Sequence, residues 1–238
     1  MTKYEPLPSG GVRLPYDDVT PKDFEATTGD GKRIGAISDH IEKHVGPIKS
    51  VFHEIVSDKV HIDVHWVESS EDLPFNVLIT SGMSDRPMTV PEGLEDFRFA
   101  ELCILLPPDW PLDMDSFENE DHYWPIRSLK ENAKFPHEYD TYFCMGHSIG
   151  AEESGPLSPN CPFGGFLIFV PVSLADEFQT LQLENGDTVH FYCLIPLYAE
   201  ELTVKTDQGL DELLDLLEEH DISDVVDIHR PNVGLSNT

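Results

Sequence analysis

The stretch that decides the fold is Phe75–Pro111, FNVLITSGMSDRPMTVPEGLEDFRFAELCILLPPDWP. Runs dense in apolar and β-branched residues stand at its two ends, Phe75 to Thr80 and Phe99 to Leu106. Such residues suit a pleated, buried surface, so both runs read as strands of a sheet. Between them, Ser81-Gly82-Met83-Ser84-Asp85 is a polar turn on a glycine that can take φ > 0. Pro107-Pro108 ends the second run, because proline has no N–H for a ladder. Glu101 interrupts that apolar run; a buried carboxylate needs a partner, and Arg86, Arg98 or Arg127 could supply one.

Outward from this pair, the N-terminal side holds two more strands. Val51 to Ile55 and Val60 to Val67 flank a turn at Ser57-Asp58-Lys59. In the second, Val60, Ile62, Val64 and Trp66 share one face, and His61, Asp63 and His65 the other. Before them, Asp39 and Glu42 have capping-box spacing for a helix over Ser38 to Val45, with Ile37, Ile41, Val45 and Ile48 facing the core and Gly46-Pro47 as its end. Residues 1 to 33 are rich in Pro, Gly and Asp and read as an irregular arm, with the domain proper over 34 to 238.

On the C-terminal side, Asp113 to Asp121 carries five acids. A calcium loop needs glycine where Glu118 stands, so the segment reads as a solvated loop. Trp124-Pro125 opens a helix reaching about Lys134, with Pro125 at its first position. Tyr142 to Pro162 is a long irregular loop, of the kind that often carries function. Gly165 to Val170 and Thr188 to Pro196 are further strands, with a short helix or turn at Leu174 to Leu181 between them. A last helix near Asp207 to His220 has Leu210, Leu213, Leu214 and Leu217 as its apolar stripe.

Aromatic and apolar content suits a globular chain, and 238 residues bury a sizeable core. No apolar run approaches a membrane span, and the N-terminus lacks a signal-peptide pattern, so the expected location is the cytoplasm. The four cysteines match no zinc module and read as reduced thiols. Forty-five acids against fifteen bases give a formal charge of −30. Such a surface repels phosphate backbones and anionic lipids, which argues against nucleic-acid and membrane partners, and it would steer a basic protein inward. From Glu200 to Asp227 there are eleven acids and one lysine.

Several motifs in this order resemble one family. Val60-His61-Ile62-Asp63-Val64, Thr80-Ser81-Gly82-Met83, Ala100-Glu101-Leu102 through Pro107, Trp124-Pro125-Ile126, Gly146-His147-Ser148-Ile149 and Val189 through Tyr198 resemble the Suppressor of fused domain family. The resemblance implies an α/β (α+β) fold: a single domain with a central mixed, largely antiparallel β-sheet flanked by helices. It also implies protein binding rather than catalysis. Animal members sequester a transcription factor in Hedgehog signalling. Bacterial members are often stand-alone domains, many of them thought to be immunity proteins or antitoxins. This chain lacks the long second half of animal members and looks like the bacterial type.

Candidate partner-binding residues follow from both lines. Met83, Asp85, Met88 and Phe97 lie in the connection after the Gly82 turn, where they would be exposed anchors. His147 lies in the companion loop, and Glu212, Glu218 and Glu219 face outward from the last helix toward a basic partner, for instance a toxin domain. No cofactor is expected. The competing reading is a hydrolase built on the His61–Asp63–His65 face as a metal site, or on His147 as general acid or base. The plain alternatives are a polar sheet face, a loop histidine bonded to backbone, core side chains at Met83 and Phe97, and a solvated acidic surface.

Overall fold

The computed structural model describes residues 5–13, 29–54, 59–150 and 155–237. The ends of the deciding stretch are strands β5 (Asn76–Ser81) and β6 (Ala100–Leu106), paired antiparallel with Leu78 opposite Ile104. Every residue of both is buried. Helices cover the sheet on both faces, which is why these strands read as continuous apolar runs and not as alternating ones.

The other strands are β1 (Glu5–Pro6), β2 (Val12–Arg13), β3 (Ile48–Phe52), β4 (Asp63–Val67), β7 (Ser148–Gly150), β8 (Gly165–Phe169), β9 (Thr180–Gln182) and β10 (Thr188–Leu197). The main sheet runs β3-β4-β5-β6-β10-β8-β7, with β9 also on β10. Among the described strands only β6 and β10 pair in parallel, placing Cys103 opposite Cys193; the other strand pairs are antiparallel, and a single parallel bridge joins Leu105 to Val225. The sheet is therefore mixed and largely antiparallel, in a single domain, as expected. The described cysteines are all free thiols.

Among the described residues four α-helices flank it: α1 (Gly31–His44), α2 (Glu120–Glu138), α3 (Ala199–Asp207) and α4 (Leu210–Glu219). One core cluster joins Ile37 and Ile41 of α1, Leu202 of α3 and Leu213 and Leu217 of α4 to Val77, Ile79, Cys103 and Phe191. The other joins Trp124, Ile126, Leu129 and Ala133 of α2 to Ile62, Val64, Leu78, Leu102 and Leu194. The strands separate these two layers.

Several elements differ from the sequence reading, each for a local reason. Helix α1 starts at Gly31 because Asp30 caps it, its side chain accepting from the Lys32 N–H at 3.0 Å. The Asp39/Glu42 spacing falls inside the helix. Helix α2 starts at Glu120, where Asn119 accepts from the Asp121 N–H, so Pro125 lies within the helix and not at its first position. The irregular loop contains β7. The acidic run after Tyr198 forms α3, which the sequence reading left unassigned. Near the N-terminus β1 and β2 form a hairpin. The expected turn at Ser57-Asp58 and the rest of the arm, 1–4 and 14–28, lie outside the described residues.

Candidate functional site

The Gly82 turn is built on Glu101. That side chain is fully buried. Its Oε1 accepts from the N–H groups of Gly82 and Ser84, both at 3.0 Å, and from the Ser84 hydroxyl at 2.7 Å. Its Oε2 accepts from the Thr80 hydroxyl at 2.7 Å. The expected arginine partner is absent: Arg98 pairs with Asp187, and Arg127 with Glu120 and Glu131. Four donors satisfy a buried carboxylate without an ion pair. Burial pushes the Glu101 carboxyl above the usual range, while the Thr80 and Ser84 donors pull it back. Gly82 sits at φ +108°, and a Cβ there would lie 1.8 Å from the His61 carbonyl oxygen.

This arrangement overturns part of the expected anchor set. Met83 and Met88 are buried in the α2-side core and offer no surface to a partner. The turn draws its apolar side chain inward once Glu101 has taken the polar groups. Asp85 accepts from the Asp30 N–H at 2.8 Å and so braces the start of α1. Burial pushes its carboxyl up as well. Phe97 is half-buried and stacks on His190, with centroids 5.0 Å apart. Glu212, Glu218 and Glu219 are exposed on α4 as read.

The histidines do not converge. His61 Nε2 lies 3.1 Å from Asp63, which also meets His53 at 3.0 Å. His65 turns instead to the Ser81 hydroxyl at 2.9 Å, and burial takes its pKa down to about 4. No group of three or more metal-ligating side chains forms among the described residues.

His147 lies elsewhere, in a cleft of about 650 Å³. Phe135, Tyr142 and Phe143 form one wall, from the end of α2 and the loop after it. Ser148 and Gly150 of β7, an outer strand of the sheet, form the floor, and Leu202, Thr203, Lys205 and Thr206 of α3 the opposite wall. The β1–β2 hairpin closes one side with Leu7 and Arg13, held by the Ser9 N–H donating to the Thr206 carbonyl at 3.3 Å. Strand β7 can lie so close to β8 because Gly150 faces Gly165: a Cβ on Gly165 would meet the Ile149 oxygen at 2.3 Å.

The His147 ring packs edge-on against Tyr142 and is bonded to its backbone. Burial first, then the Lys205 charge, hold its pKa below the ordinary histidine value, which favours the neutral imidazole. Lys205 donates to the Ser148 hydroxyl at 3.0 Å, and burial lowers its pKa too. Such a site combines aromatic walls, hydroxyls, one half-buried ammonium and an outer strand. It can accept an extended segment along β7 and anchor a side chain between α2 and α3.

Of the expected residues, only His147 lines this cleft. The start of α4 packs beside the loop that precedes His147, where a Cβ on Gly146 would meet Leu210 at 2.8 Å, but no residue of α4 lines the cleft. Sequence reasoning missed Thr203, Lys205 and the hairpin. The one available signal was the lone lysine in the stretch of eleven acids.

The family model described as Suppressor of fused protein (SUFU) matches residues 58–231. Solved structures share the fold. A chain described as a Suppressor of fused homolog from Neisseria gonorrhoeae FA 1090 is 18% identical, over 86% of this chain and 98% of its own, at TM-score 0.63. A chain of the Sufu–Fu complex is 18% identical over 84% of this chain and 92% of its own, at TM-score 0.61. Drosophila Suppressor of Fused is 15% identical over 88% of this chain and 56% of its own, at TM-score 0.58. No curated protein matches the sequence.

Proposed function

The chain belongs to the Suppressor of fused family, and from that membership we propose that it is a protein-binding module whose recognition site is the cleft beside β7. The family is known for protein–protein interaction, and one relative of the same fold was solved in the Sufu–Fu complex. The observation that carries the reading is the cleft itself: an outer strand floored by Ser148 and Gly150, between aromatic and helical walls. A partner strand added to that edge would gain main-chain hydrogen bonds, with side-chain pockets supplying specificity.

The finer role proposed is that of an immunity protein or antitoxin acting in the cytoplasm, holding a basic toxin. The charge of −30 supports it, because it raises encounter rates with a cationic partner. So does the likeness to a bacterial chain matched over nearly its whole length. The test is co-production in the native host with the product of the adjacent gene. If that product arrests growth, this chain should restore it, and a variant with the cleft filled by Thr203→Trp should not. Restoration by the filled variant would move the site away from the cleft, and failure of the wild type would sink the toxin role.

A further inference from the structure

The cleft differs in charge from the rest of the molecule. Its described lining carries Arg13 and Lys205, with Asp207 as the only acid. Around it the chain is strongly acidic: Lys205 is the single lysine among eleven acids from Glu200 to Asp227. Two of the described lysines have an acid within ion-pair distance, Lys49 with Glu68 and Lys134 with Glu54. Lys205 has none among the described residues; its bond is to the neutral Ser148 hydroxyl. Next to it stands His147, which feels the Lys205 charge and carries no negative charge in either protonation state.

A partly buried ammonium without a counter-charge is costly unless an anion completes it. An ammonium has three donors, and the Ser148 bond uses one. The two remaining donors and Arg13 make a small cationic end to a cleft otherwise lined largely by apolar and aromatic side chains; the Thr203 and Thr206 hydroxyls donate to the Ala199 and Thr203 carbonyls of their own helix. We propose that this end of the cleft binds one carboxylate of the partner, from an Asp or Glu side chain or from a C-terminus, and so fixes the register of a segment laid along β7. The proposal rests on the protein-binding reading of the cleft. It fits a partner that is basic as a whole. The acidic body attracts such a partner, and the local ammonium selects the one acid that a segment presents. Lys205 and Arg13 together can hold a single carboxylate, and competition by inorganic phosphate separates that ligand from a phosphoryl group.

Selection from random peptide libraries tests this. One library presents peptides with free C-termini and the other presents them internally, against wild type, Lys205→Met and Lys205→Arg, with melting temperatures measured on each protein. Wild type should enrich peptides with apolar positions and an acid at one fixed place, or a terminal carboxylate in the first library only. Lys205→Met should keep the apolar pattern, lose the acid preference and bind wild-type-selected peptides at least tenfold more weakly. Lys205→Arg should retain the preference. Inorganic phosphate at millimolar concentration should not displace these peptides. Enrichment with no acidic position, an acid preference that survives Lys205→Met, or displacement by phosphate would overturn the carboxylate site while leaving the cleft as a binding site. No enrichment by wild type from either library would overturn both.

Discussion

Ser84 gives both its backbone N–H, at 3.0 Å, and its hydroxyl, at 2.7 Å, to the same oxygen of Glu101. Those two hydrogen bonds to Oε1, with Gly82 as a third donor and Thr80 on the other oxygen, tie the turn after β5 to the start of β6. A buried acid thus shapes the connection that the sequence reading took for a binding loop.

Replacing Glu101 by alanine should cost about 3–5 kcal/mol, because it strands several buried donors at once. Glu101→Gln should cost less, yet still set an amide N–H against a hydroxyl or N–H that now donates. The sign of the pH effect follows from burial, which raises the Glu101 pKa in the folded state. The folded protein then holds this proton at pH values where the unfolded chain has lost it. The resulting stabilisation is complete below the unfolded value and fades as pH rises through the folded one. Denaturant titrations should therefore show wild type gaining on Glu101→Gln as pH falls through the carboxylate range. A constant difference, or a loss, would contradict that direction.

Gly82→Ala should destabilise by at least about 2 kcal/mol, from strain at positive φ alone. The clash with the His61 carbonyl adds to it. Thermal unfolding of this variant beside Gly93→Ala separates the two causes. Gly93 also has positive φ, at +90°, but open space where its Cβ would go. Equal losses at both positions would mean that the close approach to His61 contributes nothing.

Met88→Ala should lower stability by about 2–5 kcal/mol, as truncation of a buried side chain does. Partner affinity should be unchanged at temperatures where the variant is folded. A loss of affinity without a change in melting temperature would restore Met88 as an anchor, against its 4% exposure.

Neutralising Glu212, Glu218 and Glu219 should slow association with a basic partner several-fold at low salt and barely alter dissociation. Exposed charges act over about 8 Å at physiological ionic strength, so they guide approach and not residence. Stopped-flow association at two salt concentrations checks this. An unchanged rate at low salt removes the electrostatic part of the account.

Much of the fold was legible because burial leaves a one-dimensional trace. The runs around Leu78 and Ile104 are apolar at every position, and Asn185-Gly186-Asp187 marks the turn into β10. The helix starts were less legible, because Asp30 and Asn119 cap from outside the apolar pattern that Ile37 and Trp124 begin. The site was largely hidden. Met83 and Met88 look like anchors until Glu101 is seen to fold the turn inward. The cleft joins residues from Leu7 to Asp207, so no local window contains it. Lys205 alone stood out, as a base among acids.

The most direct test of the central claim is the affinity of the natural partner, captured from the host with wild type, for the wild type and for Thr203→Trp. The account predicts a loss of at least about a hundredfold, or roughly 2.7 kcal/mol, with the melting temperature within a few degrees of wild type. Equal affinity of the two proteins, with the tryptophan variant folded, would contradict it.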